Sequence, residues 1–320
     1  MKKLFFISLI MAILMKSAVS APVPTVPSEL QDRIITVIIP YTPGGDTDAT
    51  QRFVVEQVSR LSGLKFVIVN KGGASGIVGT REFIKARPDG LTIMGHANET
   101  FALNPILFKE QAVDMREVQP VAIHAFTPQF IYTGFNNSIQ THDDIIAAAK
   151  NNPKFTVGCN VLHQCMYIGQ YLNHYNIKPY VVMYKTPADM AVAAFNGDID
   201  IFGAGAVSGS PFVRGGRIRA VAATWDHKLD VYPNAAALGA IIPGYRANNL
   251  QMVSVPAGTP RHIVEFYNQI FRLAVQTPAS VERFRDLSVI AADLDIDQVR
   301  QALDKELQIM KDNQQFAPKQ

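Results

Sequence analysis

Beyond its first twenty residues this chain has no surplus of charge of either sign. The full 320 residues carry 30 Lys and Arg against 27 Asp and Glu. Lys2, Lys3 and Lys16 all lie in the leading segment, which holds no acid, so the remainder is balanced at 27 of each. The sequence pI near 8.7 therefore describes the leader more than the protein behind it. No run of Lys or Arg follows that could track a phosphate backbone, which argues against a nucleic-acid partner. Long apolar runs are missing too: after the leader none reaches the roughly eighteen residues that a membrane span requires. Catalytic signatures are equally scarce. There is no GxSxG, no GxxxxGKS/T, and among seven histidines neither HExxH nor a close pair at metal-ligand spacing. Two cysteines, Cys159 and Cys165, are too few for a structural zinc site. The sequence leads us to expect neither a metal nor a cofactor.

What is present begins with a targeting signal. Lys2 and Lys3 precede a largely apolar stretch from Leu4 to Met15, and Ala18-Val19-Ser20 supplies the cleavage positions. This reads as a secretory signal peptide over 1–20, too short to cross a bilayer comfortably. Cleavage after Ser20 fits better than cleavage after Ala21, which would leave Pro22 first. Export to an oxidising compartment permits a disulfide between Cys159 and Cys165. Two small buried hydrophobes fit the same residues, and both readings stand.

The periodicity is that of an α/β protein. Short β-branched runs at Ile34–Ile39, Phe66–Val69 and Leu91–Met94 alternate with helical patterns at Asp48–Leu61 and Thr80–Ala86. That order predicts parallel strands with right-handed crossovers. The theme repeats from Phe155 to Ala223, with helices predicted at Asp143–Lys150, Gln164–His174 and Ala188–Phe195. An extended run at Gln251–Val255 and amphipathic helices near Ile263–Thr277 and Ile296–Met310 complete the chain.

Three loops follow strands and precede helices, the edge at which open α/β sheets bind ligands. The first is Pro40 to Asp48, containing Tyr41, Thr42, Gly44, Gly45 and Asp48. The second is Gly72-Gly73-Ala74-Ser75-Gly76 and the third runs from Gly158 through Cys159 and Asn160 to His163. Glycines admit close backbone approach, and the first N–H groups of a helix have no internal partner and attract anions. Asp48 reads as the N-cap of the first helix. His163 with Cys159 suggests a hydrolase as a competing reading, against a histidine that merely lines a pocket. Gly203-Ala204-Gly205-Ala206-Val207-Ser208-Gly209 imitates a dinucleotide fingerprint, but its third glycine is one place late. Pro211 to Gly216 leave almost no room for the crossover helix.

Taken together these residues resemble the tripartite tricarboxylate transporter receptors, also called Bug receptors. The likeness is carried by Pro43-Gly44-Gly45 with Asp48 and Arg52, by Asn70-Lys71-Gly72-Gly73-Ala74-Ser75-Gly76, and by Pro88-Asp89-Gly90-Leu91-Thr92. It continues through Ala102-Leu103-Asn104-Pro105, Tyr184-Lys185-Thr186-Pro187, Asn196-Gly197-Asp198 and Pro256-Ala257-Gly258-Thr259-Pro260. The resemblance implies a periplasmic-binding-protein type II fold: two Rossmann-like α/β lobes, a hinge and an interlobe ligand cleft. Lobe 1 would comprise 21–125 and return with 248–320; lobe 2 would be 126–247. It also implies a periplasmic, monomeric receptor without catalysis that passes a small carboxylate to a membrane permease, or serves a sensor instead. The ligand loops carry over onto the three already chosen, with Thr186 and Gly205 completing the pocket. The chain departs from the pattern at Lys71, at Cys159, Asn160 and Cys165, and at Asn248 and Asn249, where a tryptophan is common.

Overall fold

The β-branched run Ile34–Ile39 forms β1, the middle of three parallel strands, with β2 (Lys65–Asn70) on one side and β3 (Thr92–Ala97) on the other. The structure is a computed structural model describing residues 22–108, 113–245 and 247–316. The segment read as a signal peptide lies outside the described residues. Helix α1 (Asp46–Ser62) crosses from β1 to β2 and stops at Gly63, whose φ of 73° is the left-handed C-cap geometry that glycine favours. Helix α2 (Ile77–Phe83) crosses from β2 to β3. A π-type turn, Glu99–Leu103, then leads into the short α3 (Asn104–Leu107).

At this point the chain leaves strict alternation. Strand β4 (Val118–Gly134) spans 17 residues and serves two sets of partners. Beyond it, α4 (His142–Asn151), β5 (Thr156–Cys159), α5 (Leu162–His174), β6 (Tyr180–Met183), α6 (Pro187–Asn196) and β7 (Ile201–Gly205) build a second parallel unit. Helix α7 (Ala206–Arg214), β8 (Ile218–Ala223), the two-residue β9 (Ala236–Ala237) and α8 (Leu238–Ile241) follow. Strand β10 (Asn248–Pro256) then returns to lie between β3 and β4, antiparallel to both. The order is β2-β1-β3-β10-β4-β7-β5-β6. The sheet is therefore mixed, not wholly parallel as the alternation suggested, because β4 leaves the first unit and β10 re-enters it from the far side.

The last helices complete the first unit. Helix α9 (Arg261–Ala274) packs on α1; its Tyr267 hydroxyl donates to Gly90 O at 2.7 Å and Asn268 donates to Val121 O at 2.8 Å. Helix α10 (Pro278–Asp286), β11 (Ile290–Ala291, paired with β4) and α11 (Ile296–Asn313) end the chain. One apolar core gathers Val37, Val54, Val253 and Phe271; two others, on the second unit, gather Val157, Tyr171 and Ile201, and Phe130, Met190 and Phe202. Separate cores on either side of shared crossing strands make this a two-lobed α/β fold of the type II periplasmic-binding-protein kind. Strand β4 changes partners between Pro128, opposite Asn248, and Gln129, opposite Gly205. Thr224 ties the crossing segments together: its hydroxyl accepts from Gln129 N–H at 3.0 Å and donates to Ala247 O at 2.5 Å.

Helix α7 corrects the expectation that Pro211 to Gly216 would forbid a helix. Pro211 sits inside it and forfeits one intrahelical hydrogen bond. The segment is nevertheless held by burial of Ala206, Ser208, Gly209 and Ser210. Gly209 lies so close to the Tyr132 ring that a side chain there would collide with it.

Candidate functional site

The loops after β1, β2 and β5 meet across the gap between the lobes and enclose a cavity of about 660 Å³. Lobe 1 contributes Pro40, Tyr41 and Thr42, the turn Gly73 to Gly76, and Phe108; lobe 2 contributes Asn160, Val161 and Leu162 with Met183, Tyr184 and Lys185. Among the described residues of this lining Lys185 is the one charged side chain. A depression of similar size among Arg261, Glu265, Arg272, Asp297 and Arg300 lies on lobe 1 alone, between α9 and the first turn of α11. The sheet-edge rule therefore favours the interlobe cavity.

The first two loops lean on each other through missing side chains. A Cβ on Gly72 would stand 3.2 Å from Thr42 N, and one on Gly79 would stand 2.6 Å from Lys71 O and 2.8 Å from Pro40 Cα. The second loop is wound left-handed: φ is 133° at Gly73, 45° at Ala74, 50° at Ser75 and 93° at Gly76. For Ala74 and Ser75 such angles cost about 1–3 kcal/mol each, a strain that clusters at ligand sites. Asn104 donates to Ser75 O at 2.7 Å and braces the turn.

Asp48 lies beneath the first loop and does not line the cavity. Its carboxylate accepts from Gly44 N–H at 3.0 Å, Arg52 Nε at 2.9 Å and Asn70 Nδ2 at 2.8 Å. Burial would raise its pKa, but these hydrogen bonds outweigh burial and hold it below the usual carboxylate value. Asn70 also donates to Tyr41 O at 3.1 Å, so Asp48 fixes the loop through Gly44 and Asn70. It is not the N-cap: α1 begins at Asp46, and the N-cap is Gly45. Gly44 and Gly45 likewise shape the loop without reaching the cavity.

In lobe 2 the two cysteines are joined. The Cys159–Cys165 disulfide pins the end of β5 to the first turn of α5 and so fixes the loop that presents Asn160 to the cavity. Cys159 is fully buried beneath it. The Asn160 N–H donates to Gln164 Oε1 at 2.9 Å, while its own Oδ1 is buried without a partner. His163 turns the other way. Its imidazole lines a separate pocket of about 250 Å³ beside Met166, Glu306 and Met310, and burial lowers its pKa to about 4. A neutral histidine facing away from Cys159, itself locked in a disulfide, has no nucleophile to activate. Thr186 caps α6 in a capping box with Asp189 and does not line the cavity.

Gly205 was expected to present its amide to a ligand; instead Asp46 of lobe 1 takes it. The Asp46 carboxylate accepts from Gly205 N–H at 2.8 Å, Ser208 N–H at 2.9 Å and the Ser208 hydroxyl at 3.0 Å. These donors form the N-terminus of α7. A Cβ on Gly205 would meet Asp46 Oδ1 at 2.5 Å, so the contact requires glycine there. A second buried acid stands at α5. Glu99 lies beside the Tyr41 hydroxyl and the main-chain N–H of His163, and its Oε2 has no hydrogen-bond partner among the described residues. Burial raises the Glu99 pKa to about 7, opposed by those two neighbouring donors. Burial also raises that of Asp46, opposed by the Ser208 and Gly205 N–H groups. Sequence reading passed over both acids because each is the first residue of its helical segment, Asp46 of α1 and Glu99 of the π-type turn, where no periodicity marks it. The signal available was an acid where neighbours in the loop are small.

The chain matches the family described as "Tripartite tricarboxylate transporter family receptor" over residues 50–313. Protein BugT of Bordetella pertussis is 25% identical over 284 residues, covering 86% of each chain. Among solved structures, a protein from R. palustris with adipate aligns at a TM-score of 0.84 and 21% identity, covering 89% of this chain and 97% of that one. MatC from Rhodopseudomonas palustris with bound malate aligns at 0.80 and 20% identity, covering 88% and 99%.

Proposed function

The chain belongs to the tripartite tricarboxylate transporter receptor family, and from that premise we propose that it is a periplasmic receptor holding a small carboxylate between its lobes for delivery to a membrane permease. It works as a monomer with a hinge at the crossing strands. The moving bodies are 22–108 and 113–128 with 248–316, and 129–245 with 247. Members of this family are solute receptors, not enzymes. Among the described residues no helix is long and apolar enough to cross a membrane, and none of their His, Cys, Asp or Glu side chains group to hold a metal ion.

The observation that carries the reading is the strained left-handed turn Gly73–Gly76 at the wall of the interlobe cavity. Its two glycines leave main chain open to approach by a solute, and Lys185 is the one cation among the described residues of the lining. Three or four charge-assisted hydrogen bonds at about 1.5–3 kcal/mol each reach the roughly 8 kcal/mol of a micromolar complex before ordering costs. The cavity has the size of a small-molecule cleft, and relatives of this fold hold adipate and malate. A thermal-shift screen of mono-, di- and tricarboxylates, aromatic acids and amino acids, followed by calorimetry, tests it. Stabilisation by at least one acid with a 1:1 binding isotherm is expected. Turnover of the bound acid, or no response to any of them, overturns it.

A further inference from the structure

Lobe 2 turns two helix N-termini toward lobe 1, and lobe 1 sets a buried carboxylate of its own against each. α5 has 13 residues and α7 has 9, long enough for their first N–H groups to attract an anion. Asp46 occupies the second with three hydrogen bonds of 2.8–3.0 Å. Glu99, at the start of the π-type turn Glu99–Leu103, is buried beside the His163 N–H of the first. Both acids are at least nine-tenths buried, 7% and 3% exposed. Tyr132, Tyr167 and Tyr232 face Asp46, and Tyr41 and Thr100 stand beside Glu99.

This has a consequence for which solutes fit. A dicarboxylate stretched between the lobes needs anion donors at both ends. Lobe 1 keeps its left-handed turn and Thr42 at the cavity wall, but the α7 amides of lobe 2 are taken, and the buried Glu99 carboxylate stands beside the α5 amide of His163. What the described residues of lobe 2 still offer is the neutral set Asn160, Val161, Leu162, Met183 and Tyr184, with Lys185 exposed at the rim. An ammonium in water contributes little to holding a carboxylate. Phe108 adds to the apolar wall on the lobe 1 side.

We propose that Asp46 and Glu99 are specificity-determining residues: by placing carboxylates at the anion-binding ends of α7 and α5, they make this cleft select a solute with one carboxylate and an apolar body over a dicarboxylate of equal length. The proposal rests on the carboxylate-receptor reading above. It treats the two acids as built-in counterparts of the second carboxylate that a dicarboxylate would bring.

Hexanoate and adipate, equal in carbon count and differing by one carboxylate, separate the possibilities. Calorimetry on the secreted chain is expected to give hexanoate the tighter binding by about tenfold or more, the worth of one charge-assisted hydrogen bond. In Asp46→Gly the α7 amides are released, and the ratio is expected to move toward adipate by about tenfold. Glu99→Ala, with melting curves to confirm folding, is expected to move it the same way and covers the case in which Asp46→Gly does not fold. Adipate binding tighter than hexanoate to the wild type overturns the proposal, as does an unmoved ratio in both folded variants. Either result leaves the carboxylate reading intact, because an acid has bound. No binding of any carboxylate, in this pair or in the wider screen, overturns that reading and this one with it.

Discussion

Replacing Glu99 by Gln should convert a pH-dependent protein into a flatter one. Glu99 is 3% exposed, and burial lifts its pKa from 4.5 to about 7 despite the Tyr41 hydroxyl and the His163 main-chain N–H beside it. In the unfolded chain it ionises at its ordinary value. Between the two values the folded protein keeps a proton that the unfolded chain has already released. Its contribution is therefore full below about 4.5, declines as pH rises, and levels off above about 7. Gln cannot ionise and keeps the shape and one acceptor. From the two pKa values, the wild type should lose about 2–3 kcal/mol relative to Glu99→Gln between pH 5 and pH 8. Buried His96, His124 and His163, whose pKa values burial lowers to about 3, 3 and 4, titrate in both proteins and cancel in the difference. The assay is chemical or thermal denaturation of both proteins, followed by circular dichroism, at pH 5, 6, 7 and 8. A difference that stays flat across that range, or one in which the wild type gains on the variant as pH rises, would refute the argument that Glu99 sits desolvated between the lobes.

Reducing the Cys159–Cys165 bond, or substituting Cys165→Ser, releases a short loop whose closure entropy is worth about 2 kcal/mol; a denaturant midpoint unchanged by reductant counts against it. Gly79→Ala should destabilise by about 1–3 kcal/mol, since its Cβ meets the backbone of Lys71 and Pro40 and not a yielding side chain; equal melting temperatures would contradict this. Asp48→Ala should weaken solute binding more than His163→Ala, because Asp48 fixes the first loop while His163 faces another pocket; calorimetry giving the reverse order would show that His163 reaches the solute. Solute should also narrow the gap between the lobes, and X-ray scattering profiles identical with and without it would argue against closure.

Much of this fold was legible because its strands are short and β-branched and its turns are marked by glycine. The runs Ile34–Ile39 and Ile218–Ala223 are strands at the predicted bounds, and the helix expected at Asp143–Lys150 is extended by one residue at each end. The reading was weakest where long-range contacts override local preference. Helix α7 forms around Pro211 because Asp46, 160 residues earlier, fills its N-terminus and Tyr132 packs on Gly209. Strand β4 carries Pro128 at the point where it exchanges β10 for β7, a break in the run that marks the position but says nothing of which strands pair on either side.

The choice of loops came from the sequence alone, because strand-end glycines need only local geometry to be recognised. It could not assign the side chains on those loops. Asp48 and Asp46 stand two residues apart on one turn, yet one braces its own loop and the other crosses to the opposite lobe. His163 and Asn160 stand three apart and face different pockets. Local pattern determines which segments become strands, helices and turns, since those follow from periodicity and backbone freedom. Which acid meets which helix end is decided only when the two lobes are brought together, because that depends on distances no stretch of sequence contains.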